Sequence, residues 1–368
     1  MECIKDDIFT IIRAYLSKNY DFEIGSNIEN VVKAGNNYGL GVVLAYTLKK
    51  SNKYRDNGIL DSTLFYGVSR YEKQSLIRRN IENILKNSNI DYLYLKGISL
   101  AKYYDEEYIR YSSDIDIIVE ELNYEKAKDL LIKNGYKLIE YASNELTLFK
   151  SGLSIDLHCK YSKYEDNIEN MFMDVDYSDK NHELSNEHKY LFLIAHLSRH
   201  LRENYISAQF LIDLYYVNRL DLDREFINEK LKSANLDKLN EETLKVLDYI
   251  ITGNGNELTK KYCDFLFNVA NTKGIENMVL VGRGNRNGIG YVVSRAFPNY
   301  SEMARMYPKL NDNKLLLPYY YVVRFIDRIN QGRGNQAINE FKISSKVDKN
   351  KIEETKKLFE EIGIVKRS

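Results

Sequence analysis

Two aspartates in the middle of an apolar segment are the residues best suited to chemistry. Asp114 and Asp116 lie in the segment Arg-Tyr-Ser-Ser-Asp-Ile-Asp-Ile-Ile-Val, residues 110–119. If this segment is a β-strand, residues two apart share a face, so both carboxylates point one way while Ile115 and Ile117 point the other. Two such carboxylates can hold a pair of Mg²⁺ ions about 3.5–4 Å apart, the arrangement that serves phosphoryl and nucleotidyl transfer.

The surroundings favour a metal site over a chance Asp-x-Asp pair, which is common on solvent-facing strand edges and loops. Two like charges among isoleucines would repel each other or shift their pKa unless a cation lay nearby. A Lys96-Gly97 turn precedes the segment, and a third acid, Asp156, stands between Ile155 and Leu157 in another apolar run. We therefore expect the three aspartates to form one metal site.

Three histidines have two interpretations each. His158 follows Asp156 by two residues and would share its strand face, and a structural histidine and a site residue fit this position equally well. His196 and His200 are four residues apart on a predicted helix, a spacing that can bind zinc. The sequence offers no evident third ligand for them, so we favour a helix face that lines the cleft.

Composition narrows the class of protein. The 368 residues carry 53 basic and 53 acidic side chains, and this even balance disfavours long nucleic acid as a partner. The three cysteines are scattered and predict no disulfide framework and no Cys-x-x-Cys metal motif. No apolar run has the length of a membrane span, and the N-terminal sequence lacks a signal-peptide pattern. We therefore expect a cytoplasmic protein that does not associate with membranes.

Apolar periodicity predicts an α+β fold. Helical spacing covers residues 1–88 and returns from residue 185 onward. Between these regions we predict a small mixed β-sheet with helices. Its strands are predicted at 89–95, 114–120, 136–141, 145–150 and 153–159, and its helices at 99–108 and 125–134. The turn between the last two strands is Ser151-Gly152, which predicts a hairpin. The expected organisation is an N-terminal helical region (1–88), a core (89–180) and a C-terminal helical region (181–368).

These motifs resemble a known family. Leu-Lys-Gly-Ile-Ser-Leu-Ala at 95–101, the Asp-x-Asp segment, Ile-Asp-Leu-His at 155–158 and the Ala195-His-Leu helix are similar to the bacterial uncharacterised nucleotidyltransferase family. That family belongs to the DNA polymerase beta-like nucleotidyltransferase superfamily. Its members share a Gly-Ser turn, an Asp-x-Asp strand and a third Asp on a neighbouring strand. This chain departs from that pattern at the turn, where it has Lys96-Gly97 and a serine only at Ser99.

The resemblance implies a catalytic site and a cofactor. Asp114 and Asp116 match the metal-binding pair and Asp156 the third acid, so all three would be catalytic. Two Mg²⁺ ions are expected, with Mn²⁺ able to substitute. The substrate would be a nucleoside triphosphate, ATP among the candidates, and its monophosphate would pass to a hydroxyl or phosphate acceptor with release of pyrophosphate.

We also expect a nucleotide-binding set around the turn, which comprises Lys96, Gly97, Ser99, Arg110 and Ser113. For Lys96 and Arg110 a solvated surface charge fits the sequence equally well. The alternative to an enzyme is a catalytically silent module of the same fold that binds a nucleotide or a partner. The base of the nucleotide, the oligomeric state and the acceptor stay open. The acceptor can be an antibiotic, a sugar phosphate, a peptide, a protein or an RNA end.

Overall fold

A computed structural model describes most of the chain: residues 2–141, 144–162, 165–203, 207–271, 290, 293–294, 296–330 and 349–364. The chain divides into two compact units. The first comprises residues 1–198 and 206–271, and the second comprises residues 199–205 and 272–368. The three sequence regions predicted above, with boundaries at 88 and 180, stay a prediction.

The N-terminal region is helical, as its periodicity predicts. Its four helices are α1 (Glu2–Ser17), α2 (Ile28–Asn37), α3 (Gly41–Lys50) and α4 (Gly58–Lys86). Asparagines set the start of two of them, because the side chain of Asn27 accepts a hydrogen bond from the backbone of Glu29 and that of Asn57 from the backbone of Ile59. These caps fix where α2 and α4 begin, and α4 then runs for 29 residues towards the sheet.

A five-stranded mixed sheet follows, which confirms the predicted fold class. Its strands are β1 (Tyr92–Tyr94), β2 (Asp114–Val119), β3 (Lys137–Tyr141), β4 (Glu145–Lys150) and β5 (Leu153–His158). The strand order is β1-β2-β5-β4-β3. Strands β2 and β5 run parallel, and the other neighbouring pairs are antiparallel. The predicted hairpin is confirmed, with Ser151 and Gly152 both at positive φ between β4 and β5.

One face of the sheet is closed by helices α4 and α6 (Tyr124–Lys133). Ile115, Ile117 and Val119 of β2 belong to the same buried cluster as residues of α4 and α6. The alternation of β2 therefore places its aspartates on the opposite face. This is the arrangement expected from the sequence, and it keeps the acids out of the apolar cluster between the sheet and these helices.

The predicted helix over 99–108 is shorter than expected. Helix α5 covers only Ile98–Ala101, and a single 3-10 turn follows at Glu107–Ile109. Tyr104 lies between them, 6% exposed, and its hydroxyl donates to Asp213 Oδ1 at 2.7 Å. This tertiary contact holds the segment in a turn where local periodicity predicts a continued helix.

The rest of the first unit is helical, as predicted. Its helices are α7 (Asp166–Glu169), α8 (Asn186–Glu203), which extends into the second unit, α9 (Gln209–Val217), α10 (Arg224–Ser233), α11 (Asp237–Thr252) and α12 (Glu257–Asn271). The second unit also contains α13 (Tyr300–Met306), α14 (Leu317–Asn330) and α15 (Lys349–Glu361). Within the described ranges, no helix is both long enough and apolar enough to cross a membrane.

Candidate metal centre

The pairing of β2 with β5 brings the three predicted acids together. In this parallel pair, Asp116 lies directly opposite Asp156, and Asp114 lies two residues before Asp116 on the same face. One carboxylate oxygen from each residue lies within 4.8 Å of the others. Asp116 is 2% exposed, whereas Asp114 and Asp156 are partly exposed. The cluster is therefore open to solvent on the side of Asp114 and Asp156.

Lys96 supplies a positive charge to this cluster. Its Nζ lies 3.6 Å from Asp114 Oδ2 and 3.4 Å from Asp116 Oδ2, and its side chain is 15% exposed. The lysine follows β1, the strand on the other side of β2 from β5. This ammonium group therefore lies at the carboxylates, and the role of Lys96 in nucleotide binding stays a prediction.

The pKa of Asp156 is raised to about 6. Burial is the largest cause, and the negative charge of Asp116 is the next, with a smaller contribution from Asp114. A hydrogen bond from Thr147 Oγ1 to Asp156 Oδ1, 2.7 Å long, opposes the shift, as does His158. Burial and the neighbouring negative charge therefore both favour the neutral form of the Asp156 carboxyl, as is common at functional sites.

This donor set fits a divalent metal ion. Carboxylate oxygens are the ligands that Mg²⁺ prefers, and in an octahedral site adjacent ligands are about 2.9 Å apart and opposite ligands about 4.2 Å. The three aspartate oxygens lie within 4.8 Å of one another, so side-chain rotations that draw them closer would let all three bind a shared cation. Such a cation would also remove the repulsion that raises the pKa of Asp156.

His158 extends the acidic cluster along β5. Its Nε2 lies 3.6 Å from Asp116 Oδ1, and its Nδ1 lies 4.0 Å from Glu145 Oε2, across the pair that β5 forms with β4. The residue is 5% exposed. His158 therefore lies beside Asp116, at a distance longer than a hydrogen bond. Thr147 and Glu145, which sequence reasoning missed, contact the site because β4 pairs with β5.

Gly97 has the backbone geometry that the turn requires. Its φ is +67° and its ψ is −110°, a conformation that residues with a side chain rarely adopt. A Cβ at this position would lie 3.2 Å from Ser112 Oγ. Ser112 Oγ in turn donates to Asp114 Oδ1 at 3.0 Å. The turn is therefore packed directly against the segment that carries Asp114.

The remaining members of the nucleotide-binding set lie in different environments. Ser113 is exposed next to Asp114, in contrast to Ser99, which is 2% exposed at the start of α5. Arg110 forms a two-point ion pair with Asp213 of α9, with Arg110 Nη2 2.6 Å from Asp213 Oδ2 and Arg110 Nε 3.1 Å from Asp213 Oδ1. Their side chains are 9% and 2% exposed. Arg110 thus anchors α9 to the strand that carries the acids.

Side chains of α4 hold the same segment from another side. Gln74 Nε2 donates to the carbonyls of Ser112 and Asp114 at 3.0 and 3.2 Å. Arg70, four residues earlier, donates to the carbonyls of Ser112 and Ser113. These contacts fix the start of β2 and so the position of Asp114. The only sequence signal was the spacing of Arg70 and Gln74, which places both on one helix face.

His196 and His200 belong to no cluster of three metal-ligating side chains among the described residues. The His196 ring stacks on Phe192, one turn earlier in α8, with centroids 5.5 Å apart and an interplanar angle of 27°. His200 falls in the second compact unit. The role of both histidines in lining a cleft stays a prediction.

Comparison with known proteins identifies the family. Residues 26–250 match the model of a family described as uncharacterised nucleotidyltransferase. The matched range includes the whole sheet, the Lys96-Gly97 turn, all three aspartates and the Arg110–Asp213 pair. No curated protein and no solved structure matches the chain. The family match covers well over half of the sequence, and the chain therefore belongs to the uncharacterised nucleotidyltransferase family.

Proposed function

We propose that this protein transfers a nucleoside monophosphate from a nucleoside triphosphate to a hydroxyl or phosphate acceptor, with release of pyrophosphate and with Mg²⁺ as the cofactor. The observation that carries the proposal is the convergence of Asp114, Asp116 and Asp156 on one face of the sheet. Membership in a nucleotidyltransferase family supports the reaction class. The three acids would hold two Mg²⁺ ions, which supply charge stabilisation at the transferred phosphoryl group.

The residues on the two sides of β2 would have different roles in the reaction. Lys96 and Gly97 follow β1 on one side of β2, and Asp156 lies on β5 on the other. The turn would therefore take the triphosphate, with the Gly97 backbone allowing close approach and the Lys96 ammonium group contributing a positive charge. Asp156 would face the acceptor. In this arrangement the oxygen that attacks and the pyrophosphate that leaves lie at opposite ends of the cluster.

Several groups would keep the acids in place during the reaction. Thr147 donates to Asp156, Ser112 donates to Asp114, and Gln74 and Arg70 bind the carbonyls at the start of β2. Because these bonds exist before substrate arrives, the carboxylates need little reorganisation when charge develops. The helices after residue 181 that share a unit with the sheet would select the acceptor.

The test is a screen of ATP, GTP, CTP and UTP with Mg²⁺ or Mn²⁺, with pyrophosphate release and mass spectrometry of candidate acceptors as readouts. We expect Asp114→Asn to abolish release, while Asp129→Asn on α6, an acid whose side chain is 74% exposed, serves as the matched control. Metal-dependent nucleotide binding without pyrophosphate release in the presence of any candidate acceptor would instead identify a catalytically silent nucleotide-binding module. Retained release in Asp114→Asn would refute the metal assignment.

The role of Asp156 can be separated from that of the other two acids. If Asp156 faces the acceptor, Asp156→Asn should lower the transfer rate much more than the affinity for the nucleoside triphosphate. Equal losses in both quantities would show a general role in holding the metal. The comparison requires calorimetric binding of the nucleotide alongside single-turnover rates.

A further inference from the structure

A cavity of about 370 Å³ lies among the N-terminal helices of the first unit. This size falls in the range of small-molecule sites, roughly 300–1,000 Å³. Its walls come from the turn between α2 and α3, the first part of α4 and the segment before β2. The wall residues that carry the argument are Asn36, Gly39, Ser62, Thr63, Tyr66 and Tyr111.

The described residues that line the cavity include no charged side chain. Tyr66 and Tyr111 form an aromatic wall, with ring centroids 5.9 Å apart and an interplanar angle of 30°. Ser62 and Thr63 direct their hydroxyl protons to the Ile59 carbonyl, at 3.0 and 2.7 Å, so their oxygens keep lone pairs for a ligand donor. Aromatic faces beside amide and hydroxyl groups suit an uncharged, planar, hydrogen-bonding ring and do not suit a phosphate.

The cavity and the metal centre share one short segment of backbone. Tyr111 precedes Asp114 by three residues, so their Cα atoms are at most about 11 Å apart. Gln209, which is 3% exposed, fixes the cavity end of this segment. Its amide is oriented so that the nitrogen donates to the carbonyls of Gly39 and Tyr111 and the oxygen accepts from the backbone N–H of Tyr111. A ligand as long as a nucleoside can therefore reach from the cavity to the acids.

The segment that joins the cavity to the metal centre also contacts the turn assigned to the triphosphate. The segment that follows Tyr111 packs against Gly97 through Ser112, whose Oγ is 3.2 Å from the position of a Cβ on that glycine. Asp156, the acid assigned to the acceptor, lies on β5, on the far side of β2 from β1. This placement favours the nucleotide over the acceptor as the occupant.

We propose that the cavity bounded by Tyr66, Tyr111, Ser62 and Thr63 binds the base of the nucleoside triphosphate, with Tyr66 stacking on the ring. This inference rests on the proposed nucleotidyl transfer. It assigns base recognition to the helical N-terminal region, which contains none of the metal-binding acids. Selection among the four nucleotides would then depend on hydrogen bonds between the ring edge and Asn36, Ser62 and Thr63, in which the two hydroxyl oxygens accept.

The test compares two neighbouring exposed aromatic residues of α4. Tyr66 is 55% exposed and lines the cavity, whereas Phe65 is 73% exposed and does not. Because neither ring is buried, both alanine variants should fold. Each variant is titrated calorimetrically with the best-bound nucleoside triphosphate and Mg²⁺, and separately with inorganic tripolyphosphate, which has the phosphate chain and no base. Ser62→Trp, which fills the cavity from an exposed position, is the second variant.

We expect Tyr66→Ala to weaken nucleotide binding roughly tenfold, which is a usual loss when an aromatic residue that stacks on a base is replaced by alanine. Ser62→Trp should weaken nucleotide binding at least as much. Binding of tripolyphosphate should be unchanged in both, and Phe65→Ala should match the wild type. Unchanged nucleotide affinity in Tyr66→Ala and Ser62→Trp would overturn the inference and leave nucleotidyl transfer intact. Equal losses for the nucleotide and tripolyphosphate would also overturn it, whereas a wild-type protein that binds no nucleotide would refute the proposed function itself.

Discussion

Replacing Asp156 by asparagine should make the metal-free protein more stable at neutral pH. Asn keeps the shape of the side chain and the acceptor oxygen for the Thr147 hydroxyl, and removes the negative charge. The pKa of Asp156 is about 6 in the folded protein, above the ordinary value of 3.8. The folded state therefore binds this proton more tightly than the unfolded state does.

The sign and the size of the stability change follow from this difference between the two pKa values. Between pH 4 and 6 the folded protein holds more protons than the unfolded chain, so wild-type stability falls as pH rises through this window. Above pH 6 the loss is complete. A shift of about two pKa units corresponds to roughly 3 kcal/mol, at about 1.4 kcal/mol per unit. For a unit of this size that amounts to roughly 5–10 °C in melting temperature.

Differential scanning calorimetry is the suitable assay, because the chain has no tryptophan to report unfolding by fluorescence. Wild type, Asp156→Asn and the control Asp129→Asn are scanned from pH 4.5 to 8 in EDTA and again in excess Mg²⁺. In EDTA the variant's advantage over the wild type should grow with pH and level off above pH 6. In Mg²⁺ the order should reverse, because metal binding stabilises the wild type more. A difference that is independent of pH, or a variant no more stable than wild type at pH 7.5 without metal, would refute the reasoning.

Three further predictions concern the acids, the turn and the buried ion pair. Asp116→Asn should abolish transfer yet leave the protein folded by circular dichroism, since a removed metal ligand costs several kcal/mol of transition-state stabilisation; an active variant would contradict the two-metal assignment. Gly97→Val should cost about 1–3 kcal/mol in folding stability and should weaken nucleotide binding by the folded protein as well. Lys96→Ala should weaken nucleotide binding less, and mainly at low salt, as calorimetric titration would show. Normal nucleotide affinity in folded Gly97→Val would exclude the phosphate role. Arg110→Met should lower stability in urea by about 3–5 kcal/mol by leaving Asp213 buried without its cation, and Asp213→Leu in the same chain should restore part of it. If Arg110→Met keeps its stability and loses nucleotide binding, Arg110 contacts the nucleotide directly.

Local patterns in the sequence were sufficient for the elements that carry the site. Alternating isoleucine and aspartate predicted both strand β2 and the shared face of Asp114 and Asp116, because a strand has a period of two. An acid between Ile155 and Leu157 signalled a third site residue, since a carboxylate inside an apolar strand needs a partner. Ser151-Gly152 predicted the hairpin through its turn chemistry.

Tertiary structure alone decided how these elements meet. The parallel pairing that sets Asp116 opposite Asp156 joins residues 40 apart and skips over β3 and β4, and nothing local specifies that register. The Arg110–Asp213 pair joins residues 103 apart, and it shows that an arginine beside the site serves as an anchor. The cavity near Tyr111 likewise needs three separate segments to exist. Sequence periodicity fixes which face of an element is buried, whereas the partner on that face depends on packing across the whole unit. This is why the acids could be foreseen, whereas Thr147 and Glu145 beside them could not.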